Sequence, residues 1–164
     1  MRRTSLVTIL VFVAGVGIGY FARSAMGPLQ QRYTHATDLE AIEKLHQQDV
    51  EVTFAQDQQG LLEIWDQDAV RFNQGGTTAV GKQAIGVENE KVHALYPNLK
   101  VSSYAAKYKG IQIQDGLACE WGEHEGQYKL TPESTPVSFN IKGVHLLKRQ
   151  RDGSWKFAVI LLSQ

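Results

Sequence analysis

Residues 49–85 read DVEVTFAQDQQGLLEIWDQDAVRFNQGGTTAVGKQAI and carry the local signals that decide the fold. Apolar residues at helical spacing end near Ala55, and Asp57 is suited to cap a short second helix that runs through Trp65. A brief strand follows at 69–72, and a glycine-containing turn follows at 73–76. Gly81 then begins a third helix, which Pro97 ends. The stretch therefore predicts a helix, a helix, a strand and a helix in that order.

Upstream of this stretch, a first helix of about 18 residues is predicted from a capping box at 37–40, where Thr37 and Glu40 can satisfy each other's backbone amides. The apolar stripe of this helix is interrupted by His46 and Asp49. Two ionisable residues on an otherwise apolar face indicate a polar spot inside the fold.

Downstream of the stretch, the periodicity changes from helical to alternating. Strands are predicted at 101–113, 117–128, 137–149 and 154–162, with Asp-Gly turns at 115–116 and 152–153. Helices followed by an antiparallel meander make an α+β fold. We expect the helices to cover one concave face of a curved antiparallel sheet, giving a cone with an apolar pocket.

The bulk composition excludes several classes of protein. Lys+Arg and Asp+Glu are balanced at 17 each, so no net field favours nucleic acid. Hydrophobic residues make up 43% of the chain, enough for a folded core. Cys119 is the only cysteine, so the chain has no intramolecular disulfide and no CxxC motif. We expect no cofactor.

The N-terminus predicts a membrane segment. Arg2 and Arg3 precede an uncharged, mainly apolar run at 6–22. An uncleaved anchor fits this run, and a cleaved signal peptide ending near Ala22 is the alternative. The positive residues favour an extracytoplasmic position for the rest of the chain, either membrane-anchored or secreted after cleavage. The predicted organisation is a membrane segment at 1–24, a stalk at 25–36 and a domain at 37–164.

Four pieces of the domain together resemble the SnoaL-like/DUF4440 group of the NTF2-like superfamily, which includes ketosteroid isomerases and polyketide cyclases. The pieces are FAQD at 54–57, WDQDAV at 65–70, GKQAI at 81–85 and KRQRDGSW at 148–155. The resemblance implies an NTF2-like cone. It places Asn73 at the isomerases' catalytic aspartate, Asp49 near their oxyanion-hole tyrosine and His145 near their oxyanion-hole aspartate. Because asparagine cannot take up a proton at neutral pH, the resemblance does not extend to steroid-isomerase chemistry.

His145 is the best single candidate for chemistry. It alternates with apolar residues and glycine on its strand, and a three-residue turn would place Trp155, Phe157, Val159 and Leu161 on the same concave face. An imidazole there can act as acid or base. Asp49 is predicted to orient the ring. The alternative is a core histidine satisfied by one buried partner, such as a carboxylate from the first helix.

Residues 120–125 concentrate acidic and aromatic side chains on one strand. Alternation sends Trp121 and Glu123 to one face, and Glu120 and His124 to the other. Glu123 is a candidate pocket acid if its face is the inner one, and part of a solvated edge strand if it is not. Glu120 and His124 are two potential metal ligands, which do not make a site, so no metal is expected.

Aromatic residues and one amide are the predicted ligand contacts in the pocket, although such aromatic residues more often fill a core. These residues are Phe54, Trp65, Phe72, Asn73, Trp121 and Phe157.

The last strand is apolar on both faces, and its second face, beside Val144 and Leu146, predicts a homodimer through the outer side of the sheet. The sequence therefore predicts a membrane-anchored domain that binds a small organic ligand, with His145, Asp49 and Glu123 available for isomerase- or lyase-like chemistry. The alternative is a non-catalytic dimerisation or assembly module of a cell-envelope complex.

Overall fold

Three helices lie against one face of a six-stranded sheet in the computed structural model, which describes residues 28–73 and 76–163. The helices are α1 (Pro28–Ala55), α2 (Gln58–Glu63) and α3 (Lys82–Leu95). The strands are β1 (Trp65–Phe72), β2 (Thr78–Val80), β3 (Lys100–Gln114), β4 (Leu117–Lys129), β5 (Val137–Arg149) and β6 (Trp155–Ser163). The predicted α+β architecture is confirmed.

The predicted membrane segment at 1–24 lies outside the described residues and stays a prediction. Within the described part of the chain, no helix is both long and apolar enough to cross a membrane.

Helix α1 is longer than the sequence predicts. It begins at Pro28, so Thr37 lies inside the helix and the predicted capping box at its start is wrong. Proline is tolerated at the first helical position, where its missing N–H would have no intrahelical partner. Residues 28–36 of the predicted stalk are therefore helical.

The meander of four long strands is confirmed, and the strand order across the sheet is β2-β1-β6-β5-β4-β3. The β3–β4 turn has positive φ at both Asp115 and Gly116, as a two-residue hairpin requires. The N-cap of α2 is confirmed as well, because the Asp57 side chain accepts a hydrogen bond from the Gln59 amide. Gly81 directly precedes α3, as predicted.

Two predictions around β1 are wrong. Trp65 is the first residue of the strand, not the end of α2, because α2 stops at Glu63. Strand β1 pairs in parallel with β6, so the sheet is mixed rather than wholly antiparallel. In this parallel pairing the buried Trp65 lies beside Phe157, so the start of β1 lies in the core.

An irregularity in β6 changes which residues share a face of the sheet. Leu147 pairs with Phe157, but the next pair is Leu146 with Val159, so the alternation shifts by one residue. Ile160 therefore lies opposite His145 on the inner face. The prediction that Val159 and Leu161 face His145 is wrong for this reason, since a bulge re-aims every residue after it.

The hydrophobic core lies between the helices and the inner face of the sheet. It includes Ile42 and Leu45 from α1, Ile85 from α3, and Leu147 and Phe157 from the meander. Opposite His46 and Asp49, in the C-terminal half of α1, the inner face of the sheet becomes polar.

Candidate active site

Six polar side chains converge inside the cone. Helix α1 supplies His46 and Asp49, which lie three residues apart and so share one side of the helix. The strands supply the other four members from inner-face positions: Tyr104 on β3, Glu120 and His124 on β4, and His145 on β5. We call these six residues the polar chain.

The polar chain is continuous in hydrogen-bond distances. His46 Nε2 lies 3.0 Å from Glu120 Oε2, and Glu120 Oε1 lies 3.1 Å from His145 Nδ1. The Nε2 atoms of His145 and His124 are 3.2 Å apart. His124 Nδ1 lies 3.0 Å from the Tyr104 hydroxyl, which donates to Asp49 Oδ2 at 2.8 Å. Each contact is short enough for one hydrogen bond.

A glycine provides the space for the two imidazoles to meet. Gly143 lies on the inner face of β5, and a Cβ there would stand 3.0 Å from His145 Nε2 and 3.3 Å from His124 Nε2. Any side chain at this position would crowd the contact between the rings. Gly143 pairs with Gly122 on β4, so neither strand has a side chain at this point of the site.

Glu120 is fully buried but ionised. Burial alone would raise the pKa of its carboxyl, but the hydrogen bonds from His145 and His46 outweigh burial and hold the pKa below its usual range. Glu120 is therefore a fixed negative charge between two imidazoles.

The opposite end of the polar chain has the reverse character. Burial raises the pKa of Asp49, and the Tyr104 hydrogen bond offsets this only in part. Burial also lowers the pKa of His124 to about 4, so this ring is neutral at pH 7. Two carboxylates with opposite pKa shifts in one site are typical of sites that separate acid and base roles.

Tyr108 borders the polar chain without joining it. Its ring stacks on His46 with centroids 3.8 Å apart, and its edge faces His145. Its hydroxyl is buried and has no hydrogen-bond partner among the described residues. Because leaving a buried donor unpaired is costly, this phenol is suited to bind a polar atom that enters the site.

A cavity of about 410 Å³ opens between the helices and the sheet. This size lies within the range of small-molecule sites. Its lining includes apolar side chains from both helices and strands, with polar groups at one corner. The apolar lining residues are Leu61, Val92, Leu99, Val101 and Leu162.

The cavity lies next to the polar chain. Thr53, which lines the cavity, is one helical turn after Asp49 on α1. Leu162 also lines the cavity. Its Cδ2 methyl lies 3.1 Å from the point that a Cβ on Gly143 would occupy. The Nε2 atoms of His145 and His124 lie within 3.3 Å of the same point. Leu162 therefore separates the cavity from the paired imidazoles.

The polar corner of the cavity is built around Arg71. Its guanidinium donates to Asn73 Oδ1, Asn89 Oδ1 and Glu88 Oε2 at 2.9, 2.7 and 3.0 Å. Asn73 in turn donates to Glu88 Oε2 at 2.7 Å. An aspartate in place of Asn73 would set two carboxylates against each other, which explains why an amide suits this position.

The cavity also offers an unused acceptor. Gln58 Oε1 is buried and has no hydrogen-bond partner among the described residues. A ligand carrying a hydroxyl group would satisfy it.

Two of the three predicted catalytic residues lie in the polar chain. His145 lies on the inner face as predicted, but its carboxylate partner is Glu120 from β4 rather than Asp49. Asp49 reaches His145 only through Tyr104 and His124. The predicted placement of Glu123 in the pocket is wrong: it lies on the outer face in an ion pair with Lys109, which lowers the pKa of Glu123.

One of the six predicted ligand contacts, Asn73, lines the cavity. Trp65 and Phe157 are buried core residues whose rings contact each other, and Phe157 also meets the His145 ring edge-on. The predicted pocket positions of three other residues are wrong, because their side chains are exposed outside the cone. These residues are Phe54, Phe72 and Trp121.

Tyr104 and Tyr108 were not predicted as site residues, and the prediction for β4 left open whether the face with Glu120 and His124 is the inner one. Small residues were the available signal, because Gly122 and Gly126 alternate with Glu120 and His124 and mark the crowded inner face. In the described part of the chain, no group of three or more His, Cys, Asp or Glu side chains is arranged to hold a metal ion.

Comparisons with known proteins identify the fold. No protein-family model matches the chain, and no curated protein does. Among solved structures, the chain is similar to a ketosteroid isomerase-like protein from Erwinia carotovora atroseptica SCRI1043, with a TM-score of 0.65 and 20% identity over 77% of this chain and 95% of that one.

Two further structures support the same assignment. An NTF-2-like protein of unknown function from Shewanella oneidensis MR-1 matches with a TM-score of 0.61 and 11% identity, over 77% of this chain and 98% of that one. A protein from Catenulispora acidiphila matches with a TM-score of 0.65 and 14% identity, over 80% and 94%. At these identities the likeness shows the fold alone. The finer SnoaL-like assignment stays a prediction.

Proposed function

Because the chain carries an NTF2-like, ketosteroid isomerase-like domain, we propose that it binds a small, mainly apolar organic molecule in the cavity and transfers protons to and from it. The observation that carries this proposal is the polar chain, whose Asp49–Tyr104 end lies one helical turn from the cavity wall. Burying a polar chain of this extent lowers the stability of the fold unless every buried charge is compensated. A role in stability alone therefore does not account for it.

Asp49 is the proposed proton-transfer residue. Its Oδ2 accepts a hydrogen bond from Tyr104 at 2.8 Å, and Oδ1 is the oxygen proposed to meet the ligand. Burial raises the pKa of this carboxyl group, which favours its protonated form and suits it to exchange a proton with a bound ligand. The chemistry expected is isomerase- or lyase-like, with a polar group of the ligand held by Gln58.

Thermal unfolding of the full chain in the presence of small alcohols and ketones tests this proposal. A ligand that binds the folded state raises the melting temperature. We expect a subset of compounds to raise it and Leu162→Trp, which fills the cavity, to abolish the shift. Leu161→Trp is the matched control, because Leu161 is the neighbouring residue but lies on the outer face. A shift retained by Leu162→Trp and lost in Leu161→Trp would place binding elsewhere.

A second candidate function rests on the outer face of the sheet. Four exposed apolar side chains form a continuous row across β1, β6, β5 and β4, paired in register. The row consists of Phe72, Leu161, Val144 and Trp121, which are 41%, 50%, 46% and 42% exposed. Ion pairs beside it, such as Lys109–Glu123, carry both charge signs. These features support self-association of two copies through this row.

Sedimentation of the full chain in detergent tests the second candidate. We expect a dimer, and we expect Leu161→Glu to give a monomer because it would bury two charges in the interface. Val87→Glu, at an exposed apolar position on α3, is the control and should leave the dimer intact. A dimer that survives Leu161→Glu would show that the row is not the interface.

Membrane anchoring and an extracytoplasmic position complete the proposal, and the sequence of residues 1–24 is their only support. Recovery of the full chain in membranes after alkaline washing is the expected result, and release into the supernatant would contradict it.

A further inference from the structure

The distances in the polar chain allow two complete arrangements of its hydrogens. In the first, the His145 ring carries hydrogens on both nitrogens, donating to Glu120 and to His124 Nε2. His124 then donates from Nδ1 to the Tyr104 oxygen, and Tyr104 donates to an ionised Asp49. This arrangement separates charge, with His145 positive and Asp49 negative.

In the second arrangement the donors point the other way. A protonated Asp49 donates to the Tyr104 oxygen, Tyr104 donates to His124 Nδ1, and His124 donates from Nε2 to His145 Nε2. His145 still donates from Nδ1 to Glu120. Asp49 and His145 are both neutral, and every contact is again satisfied.

The two arrangements contain the same number of protons. Three transfers convert the first into the second: from His145 Nε2 to His124 Nε2, from His124 Nδ1 to the Tyr104 oxygen, and from that oxygen to Asp49 Oδ2. Two N–H bonds and one O–H bond break, while one N–H bond and two O–H bonds form. No proton enters from solvent or leaves to it.

We propose that the polar chain is a proton store, in which His145 holds the proton that Asp49 must lose to act as a base and returns it when Asp49 must act as an acid. Glu120 makes this exchange accessible, because its charge 3.1 Å from His145 Nδ1 stabilises the protonated ring. His46 keeps Glu120 ionised by bonding to it from the other side. Within the polar chain, only Asp49 would touch a ligand, so His124 and His145 act through it.

The groups that face the exchanging atoms come from every element around the site. Helix α1 contributes His46 and Asp49, β3 contributes Tyr104 and Tyr108, β4 contributes Glu120 and His124, and β5 contributes His145. At the outer rim, Glu43 lies 3.8 Å from His46 Nδ1. The role of the store in catalysis rests on the proposed function, but the exchange itself requires no ligand.

Nuclear magnetic resonance on the ligand-free full chain, labelled with ¹⁵N-histidine and ¹³C-aspartate, tests the exchange. At fixed neutral pH and varying temperature, three populations should rise and fall together: His124 protonated at Nδ1, doubly protonated His145 and ionised Asp49. Tyr104→Phe removes the connecting hydroxyl, so the His124 tautomer should cease to follow Asp49.

Glu120→Gln should lower the doubly protonated His145 population severalfold, whereas Glu123→Gln, on the outer face of the same strand, should not change it. If Tyr104→Phe unfolds the chain, the comparison of Glu120→Gln with Glu123→Gln still tests the proposal. The proposal is overturned if His124 keeps one tautomer while the ionised population of Asp49 changes with temperature, or if Tyr104→Phe leaves the populations correlated. Failure of ligand binding would leave these spectra unchanged, so the two proposals fail separately.

Discussion

Replacing Glu120 with alanine is expected to lower the free energy of unfolding by about 3–5 kcal/mol, the cost typical of removing one partner of a buried ionic group. Glu120 is fully buried and accepts hydrogen bonds from both His46 and His145. Its loss leaves two imidazoles without their acceptor and opens a void in the centre of the sheet. Urea denaturation of the full chain at pH 7 measures the change.

Glu123→Ala is the matched control for this substitution. Glu123 lies three residues along the same strand but points to the outer face, where it pairs with the exposed Lys109. An exposed ion pair contributes little to stability, so the denaturation midpoint should not move. Equal effects of the two substitutions would show that Glu120 is not the buried centre of the polar chain.

As the pH falls from 6.5 to about 4, the domain is expected to lose the stability that a neutral, buried His124 contributes, while the raised pKa of Asp49 acts in the opposite direction. Burial lowers the pKa of His124 from 6.5 to about 4 in the folded state. Within this window the unfolded chain binds a proton at His124 that the folded chain does not, so the free energy of unfolding decreases as the pH decreases. At ~1.36 kcal/mol per pKa unit, the total effect is on the order of 3 kcal/mol.

The contribution of His124 is isolated by comparing pH profiles of variants. His124→Gln keeps a hydrogen-bonding side chain but cannot titrate. Its free energy of unfolding should therefore change less with pH than that of the wild type between pH 6.5 and 4. His93→Gln, at an exposed position on α3, should retain the wild-type slope. Parallel profiles for wild type and His124→Gln would contradict a buried neutral His124.

The sequence predicts the architecture well, because periodicity and turn chemistry are local signals. The Asp-Gly turns and alternating runs locate β3 to β6 to within two residues. Two features were not predicted: the start of α1 at Pro28 and the position of Trp65 in a strand. Tertiary pairing with β6 decides the structure at Trp65, and no local pattern encodes it.

The site is predicted less well, because it depends on register and on which face is inside. Alternation along β4 correctly separates Trp121 from Glu120, but apolar character suggested that the tryptophan side is buried. Trp121 instead covers Gly110 on the outer face, while glycines make room for the polar side chains inside. The β6 bulge before Val159 similarly moves Leu162 to the cavity wall, and nothing in the local sequence marks it.

Native mass spectrometry of the full chain as purified tests most directly whether the cone interior is a ligand site. Additional mass that is released on denaturation is expected in wild type and Leu161→Trp, and none is expected in Leu162→Trp, whose side chain occupies the cavity. Additional mass carried equally by Leu162→Trp, or lost only in Leu161→Trp, would show that the cavity beside the polar chain is not the binding site.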